Sequence, residues 1–125
     1  MKLKNFSLPI GAQIFKSFSD EARVRILFLL YNHKQLCIAD LEHILDFTQT
    51  KTSRHVTYLK NAGLLNSVKK SQWVLYEIKE EVHGIIEQIF EFLNRDPQLL
   101  RDNEVYKILH SNRELSVNKI DRLYL

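Results

Sequence analysis

The sequence predicts a mainly α-helical fold carrying one small β-hairpin, and three observations predict it. Only three glycines and two prolines punctuate 125 residues, which points to long helices with short connections. Apolar residues recur at three- and four-residue spacing through most of the chain. Between 65 and 78 that period gives way to two short runs, the second rich in aromatic and β-branched residues, which read as paired strands.

The first helix is expected over 9–18, opened by Pro9, with Ile10, Ile14, Phe15 and Phe18 on one face. Asp20 is a good N-cap for a second, over about 21–32, in which Ala22, Ile26, Leu27, Leu29 and Leu30 form a broad face deep in the core. A third helix, over about 38–45, buries Ile38, Leu41, Ile44 and Leu45. Asp46 and Phe47 make a tight connection to Thr48, the N-cap of a fourth helix. Gly63 stops that helix, because glycine enters the left-handed conformation at no steric cost. Strands over 65–69 and 73–78 flank a tip at 70–72. A fifth helix runs over about 80–94. Asp96 and Pro97 then restart the chain for two short helices, about 97–110 and 117–124, whose apolar residues include Leu99, Ile108, Val117, Leu123 and Tyr124. Two short helices in tight succession followed directly by a hairpin make a helix-turn-helix with a wing. We therefore divide the chain into a winged helix-turn-helix and dimerisation domain, 1–94, and a helical C-terminal extension, 95–125.

The fourth helix organises the functional reading. Thr52, Val56, Leu59 and Ala62 give it one narrow, weakly apolar face. The rest of its surface carries Gln49, Thr50, Lys51, Ser53, Arg54, Thr57 and Lys60, side chains that donate to phosphates and read base edges. From 49 to 73 there are five basic residues and no acidic one, which leaves 13 basic against 15 acidic elsewhere. The net charge of +3 therefore hides a local basic surface on a slightly acidic body, as expected of a protein that grips the DNA major groove. Lys69, Lys70 and Gln72 at the wing tip are placed to reach phosphates or a minor groove.

On the fifth helix Val82, Ile86, Ile89 and Leu93 are spaced four, three and four apart, a spacing that suits a helix–helix seam. Packing on its own domain is the alternative. A small winged-helix domain leaves little core to cover so long a stripe, so the expectation is a homodimer interface made by these four residues with Ile10 and Ile14. The extension is expected to pack on that dimer seam or to close a small pocket.

Other function classes are less well served. At 45% apolar and 26% charged, the composition is that of a soluble globular protein, and no apolar run approaches a membrane span. The first residues lack the apolar core of a signal peptide, and a single cysteine, Cys37, suits the reducing cytoplasm. There is no nucleophile–base arrangement, no glycine-rich phosphate loop and no paired catalytic carboxylates, so neither catalysis nor a cofactor is expected.

Three segments resemble the ArsR-type winged helix-turn-helix repressors, bacterial regulators that bind operators as homodimers. FKSFSDEARVRIL (15–27) resembles the family's "L-S-D-P-x-R-x-x-I-L", with Glu21 where proline is usual. TQTKTSRHVTYLKNAGL (48–64) resembles "S-Q-x-x-x-S-x-H-L-x-x-L-x-x-A-G-L", and WVLY (73–76) resembles the second wing strand "x-V-x-Y". The resemblance implies double-stranded operator DNA as partner and repression as the simplest outcome. It puts Gln49, Thr50, Ser53 and Arg54 at the usual DNA-meeting positions, with His55 at a recurrent histidine. Two roles stay open for His55: contact with DNA, or packing and orienting the helix.

Many members of that family release DNA on binding a metal, and neither familiar ligand set is kept. In QLCIADL (35–41), Cys37 remains but its usual cysteine partner is Ala39, and soft metals need two or three thiolates. The second site needs carboxylates and histidines on the fifth helix. Glu80 and Asp96 fall at the carboxylate positions, whereas Val82 and Leu93 stand where the histidines belong. No metal is therefore expected. Two alternatives to a simple repressor remain: a winged-helix protein-interaction module, and a thiol-based redox-sensing repressor acting through Cys37. A thiol at a helix N-terminus gains thiolate character, and the competing reading of Cys37 is a small buried hydrophobe.

Overall fold

In the computed structural model, residues 5–124 are described, with side chains through 120. The elements are α1 (Leu8–Ser17), α2 (Glu21–His33), α3 (Ile38–Leu45), α4 (Gln49–Asn61), β1 (Leu65–Lys70), β2 (Trp73–Ile78), α5 (Glu80–Leu93), α6 (Pro97–Ser111) and α7 (Ser116–Tyr124). The order matches the expectation, and element ends shift by no more than two residues. The side chains of Leu123 and Tyr124 lie outside the described residues.

The core is built around α2. Ile26, Leu27, Phe28, Leu29 and Leu30 are all buried in succession, so this helix is covered on every side rather than along one stripe. The Asp20 carboxylate starts it by accepting from Ala22 N at 2.8 Å and Arg23 N at 3.3 Å. Asp46, at φ 56°, ends α3 in the left-handed conformation, and Phe47 N donates to Glu42 O. At the end of α4, Gly63 sits at φ 87° and Leu64 N reaches back to Leu59 O at 3.0 Å. The chain thus turns sharply into β1.

The wing is an antiparallel pair running from Leu65↔Ile78 to Lys70↔Trp73, closed by Ser71 and Gln72, with Ser71 at φ 56°. Leu36 adds an isolated antiparallel bridge by exchanging backbone hydrogen bonds with Tyr76, which ties the wing to the start of α3.

Part of the expected dimer seam is taken into the chain's own core. Val82 and Ile86 are buried against their own chain, as is Ile14 of α1. Phe90 continues the same stripe and meets Phe18 and Phe28 edge-on at 5.8 and 5.1 Å. Positions 82, 86 and 90 thus form the inner face, and the 82/86/89/93 spacing straddled two faces. The outward apolar side chains are others. Phe92 is 90% exposed, Leu8 86% and Phe15 74%, with Ile10 exposed and Ile85, Ile89 and Leu93 half-buried.

The extension packs on α2 and α3 of its own chain. Asp102 of α6, itself buried, receives Arg25 of α2 through two bonds of 2.8 and 2.9 Å. His33 stacks on Tyr106 with centroids 3.4 Å apart and shares a 2.5 Å hydrogen bond with Asn103 Oδ1. Asp40 of α3, also buried, accepts from the backbone N–H of Ser116 at 2.6 Å and Val117 at 3.1 Å. An acidic residue of one helix therefore caps the N-terminus of another, where the helix dipole favours negative charge. The start of α6 also closes one side of a cavity of about 240 Å³ lined by Phe18, Val24, Leu93 and Leu99.

Candidate nucleic-acid interface

α4 divides cleanly into an inner and an outer face. Thr52, His55, Val56 and Leu59 are buried, and the Thr52 hydroxyl is satisfied by donating to Thr48 O at 2.8 Å. Tyr58 is anchored as well: Gln13 Nε2 donates to its hydroxyl at 3.0 Å, and the Arg23 guanidinium lies 4.1 Å from its ring centroid. Gln49, Thr50, Arg54, Thr57 and Lys60 remain exposed, while Lys51 and Ser53 are half-buried. Residues 50, 54 and 57 follow one another at helical spacing, so the outer face is a continuous polar strip.

His55 belongs with the inner face. It is 6% exposed, so direct contact with a groove is corrected to a packing and orienting role. The inner positions 52, 56 and 59 flank it at helical spacing, and that register carries the ring inward. Burial pushes its pKa down, the Asp20 carboxylate opposes this, and Arg54, Arg23 and Lys51 push it down further. The neutral ring is thus the favoured form.

On the outer face electrostatics run one way. None of Arg54, Lys60 or Lys69 forms an ion pair among the described residues. Lys51 instead lies over the Phe47 ring, its Nζ 4.1 Å from the centroid. At the wing, Lys69 and Gln72 are exposed. Lys70 is half-buried, its Nζ donating to Gln35 Oε1 at 3.3 Å, and Gln35 Nε2 in turn donates to Glu77 Oε1. Of the three predicted tip residues, Lys70 is the one tied back to the body.

The sites where a metal would sit in the resembling family do not fit one. Cys37 is buried and unaccompanied by a second thiol, and burial pushes its pKa up, with the Asp40 charge adding to the rise. Of the two readings of Cys37, its surroundings favour the small buried hydrophobe over the thiolate, because desolvation outweighs the helix end. Asp96 is engaged in capping α6, accepting from Gln98 N and Leu99 N. Val82, where nitrogen would be needed, is buried in the core. Sequence reasoning missed Asp40 and Asp102. The available signal was position, since Asp40 lies four residues before Ile44 and Asp102 three after Leu99, both on buried stripes. A carboxylate there requires a partner.

The family described as "Bacterial regulatory protein, arsR family" matches residues 20–67, from the cap of α2 into β1. An arsenic resistance transcriptional regulator of Pseudomonas putida is 34% identical over 91 residues, covering 66% of this chain and 71% of that relative. The chain belongs to the arsR family. The arsenical resistance operon repressor of Escherichia coli is 41% identical over 78 residues, 62% of this chain and 65% of its own. Among solved structures, HlyU from Vibrio cholerae superposes with a TM-score of 0.61 at 28% identity, covering 66% of this chain and 90% of that one. This arsR-family chain is a DNA-binding transcriptional regulator with a winged helix-turn-helix, and its relatives are regulators rather than enzymes.

Proposed function

We propose that the chain represses transcription by binding operator DNA as a homodimer in the cytoplasm, without catalysis. Each copy lays the outer face of α4 in the major groove. Gln49, Thr50, Ser53 and Arg54 meet base edges, while Lys51, Thr57 and Lys60 meet the backbone. Lys69 and Gln72 of the wing reach flanking phosphates. The observation that carries this reading is the asymmetry of α4: one face sealed in the core, the other polar, cationic and free of any carboxylate between residues 49 and 73.

The dimer part of the proposal rests on the outward apolar residues. Leu8 and Phe15 of α1 and Phe92 of α5 are large, apolar and exposed, and the two helices meet where Phe18 abuts Phe90. A second copy placed there would present two α4 helices to successive major grooves, about 34 Å apart. No helix among the described residues is long and apolar enough to cross a membrane.

The test is selection of duplexes from a random pool by the purified chain, followed by titration across a salt series. The expected result is a palindromic site and an affinity that falls steeply with salt as bound cations are released from the phosphates. A pool that yields no enriched sequence, with no duplex affinity even at low salt, would refute the proposal. Phe92→Glu should convert a dimer to a monomer in sedimentation, and an unchanged mass would remove this face from the interface.

A further inference from the structure

Phe47 stands in the turn that delivers the chain into α4, and its ring is shared by cations from two different helices. The Arg25 guanidinium of α2 lies 5.1 Å from the ring centroid and Lys51 Nζ of α4 lies 4.1 Å from it. Each cation is attracted by the ring, but two like charges sharing it repel each other. The arrangement is favoured when a carboxylate balances one of them. Asp102 does this, reaching Arg25 Nε and Nη2 at 2.8 and 2.9 Å from α6. The carboxylate is itself fixed: it is 2% exposed, and Gln98 Nε2 donates to its Oδ1 at 2.9 Å. Glu21, one turn before Arg25, is exposed and adds only a weaker through-space attraction, smaller than that of Asp102.

We propose that Asp102 is a positioning residue for DNA binding: through Arg25 and Phe47, the C-terminal helix α6 sets where Lys51 stands on the DNA-reading helix. The inference rests on the reading of α4 given above. The family match ends at residue 67, so this coupling is carried by a segment outside it. With the Arg25 charge balanced by Asp102, the Phe47 ring can hold Lys51 as well. Without Asp102, the Arg25 charge beside that ring is left unbalanced and repels the Lys51 ammonium.

The sign of the effect makes the test discriminating. Asp102→Asn removes a negative charge, so simple electrostatics expects tighter binding to a polyanion. The positioning role expects the opposite: binding to the duplex selected by the wild type weakens about fivefold at fixed salt, and the salt slope falls by about 0.9, one phosphate contact. Lys51→Met should weaken binding similarly, and the double variant should bind like Lys51→Met alone. Circular dichroism and melting establish that each variant is folded. If Asp102→Asn does not fold, Phe47→Leu carries the same cycle, because it keeps an apolar body and removes the ring face. Unchanged or tighter binding by a folded Asp102→Asn overturns the proposal. So do losses from Asp102→Asn and Lys51→Met that multiply. A wild-type chain with no duplex affinity would instead sink the reading of α4 itself.

Discussion

The outer face of α4 and the extension formed by α6 and α7 are both rich in polar residues, yet they treat charge in opposite ways. In the extension's contacts, charge is buried and answered: Asp40 and Asp102 are each 2% exposed, and each has at least two hydrogen-bond donors. On α4, Arg54 and Lys60 stay in solvent and form no ion pair among the described residues. Charge taken from water must be paired within the chain, or folding fails. Exposed charge carries no such debt and can be kept for an outside polyanion. The difference separates what holds the fold from what is left for DNA.

The largest effect should come from cutting one buried carboxylate. Asp40→Ala is expected to cost about 2–3 kcal/mol of stability, the loss of two charge-assisted hydrogen bonds to N–H groups of α7. Affinity for the selected duplex should change less than about twofold, since the α4 face is untouched. Denaturant unfolding and exchange of the Val117 amide measure the first part, and a stable variant with a fully protected amide would contradict it. Arg54→Ala should show the mirror image. Binding weakens by about 1–3 kcal/mol if it reads a base, while stability stays within about 0.5 kcal/mol. If Arg54→Ala destabilises the fold as much as Asp40→Ala does, the division between the two regions is wrong.

A smaller effect sharpens the extension's side of the contrast. Burial lowers the pKa of His33, the Asn103 hydrogen bond opposes this, and the charges of His110 and Lys107 lower it further. The unfolded chain then takes up a proton near the ordinary 6.5 while the folded ring resists it. His33 thus contributes stability that is present above that pH and is lost as pH falls below it. His33→Gln should flatten the stability-against-pH curve in that window, and an unchanged slope would assign the dependence elsewhere. The smallest effect is on Cys37: a maleimide should label the folded thiol at least about tenfold more slowly than the unfolded one.

Every element was legible in the sequence, because caps and stops were local: Asp20, Thr48, Gly63 and Asp96 each act within a turn of themselves. Which face of an element is buried was less legible. His55 looks like a groove residue until the packing of Thr52, Val56 and Leu59 fixes the register of α4. The α5 stripe was readable as apolar, but choosing its inner edge required Phe18 and Phe28, which arrive from other helices. Cys37 carried a favourable helix end and an unfavourable environment, and only the second depends on residues far away. The exposed polar positions of α4 needed no such information. Their spacing alone set them apart from 52, 56 and 59.

The bond from Ser116 to Asp40 joins residues 76 apart in sequence, and Arg25 and Asp102 span 77. Contacts at such separations come late, because the entropy of closing the intervening loop must be met before they return anything. The short-range turns of the helix pair and the two-residue hairpin carry no comparable delay. A chain emerging from the ribosome would therefore form its DNA-reading half first. The extension, docking afterwards, would act as a latch on a half that has already formed.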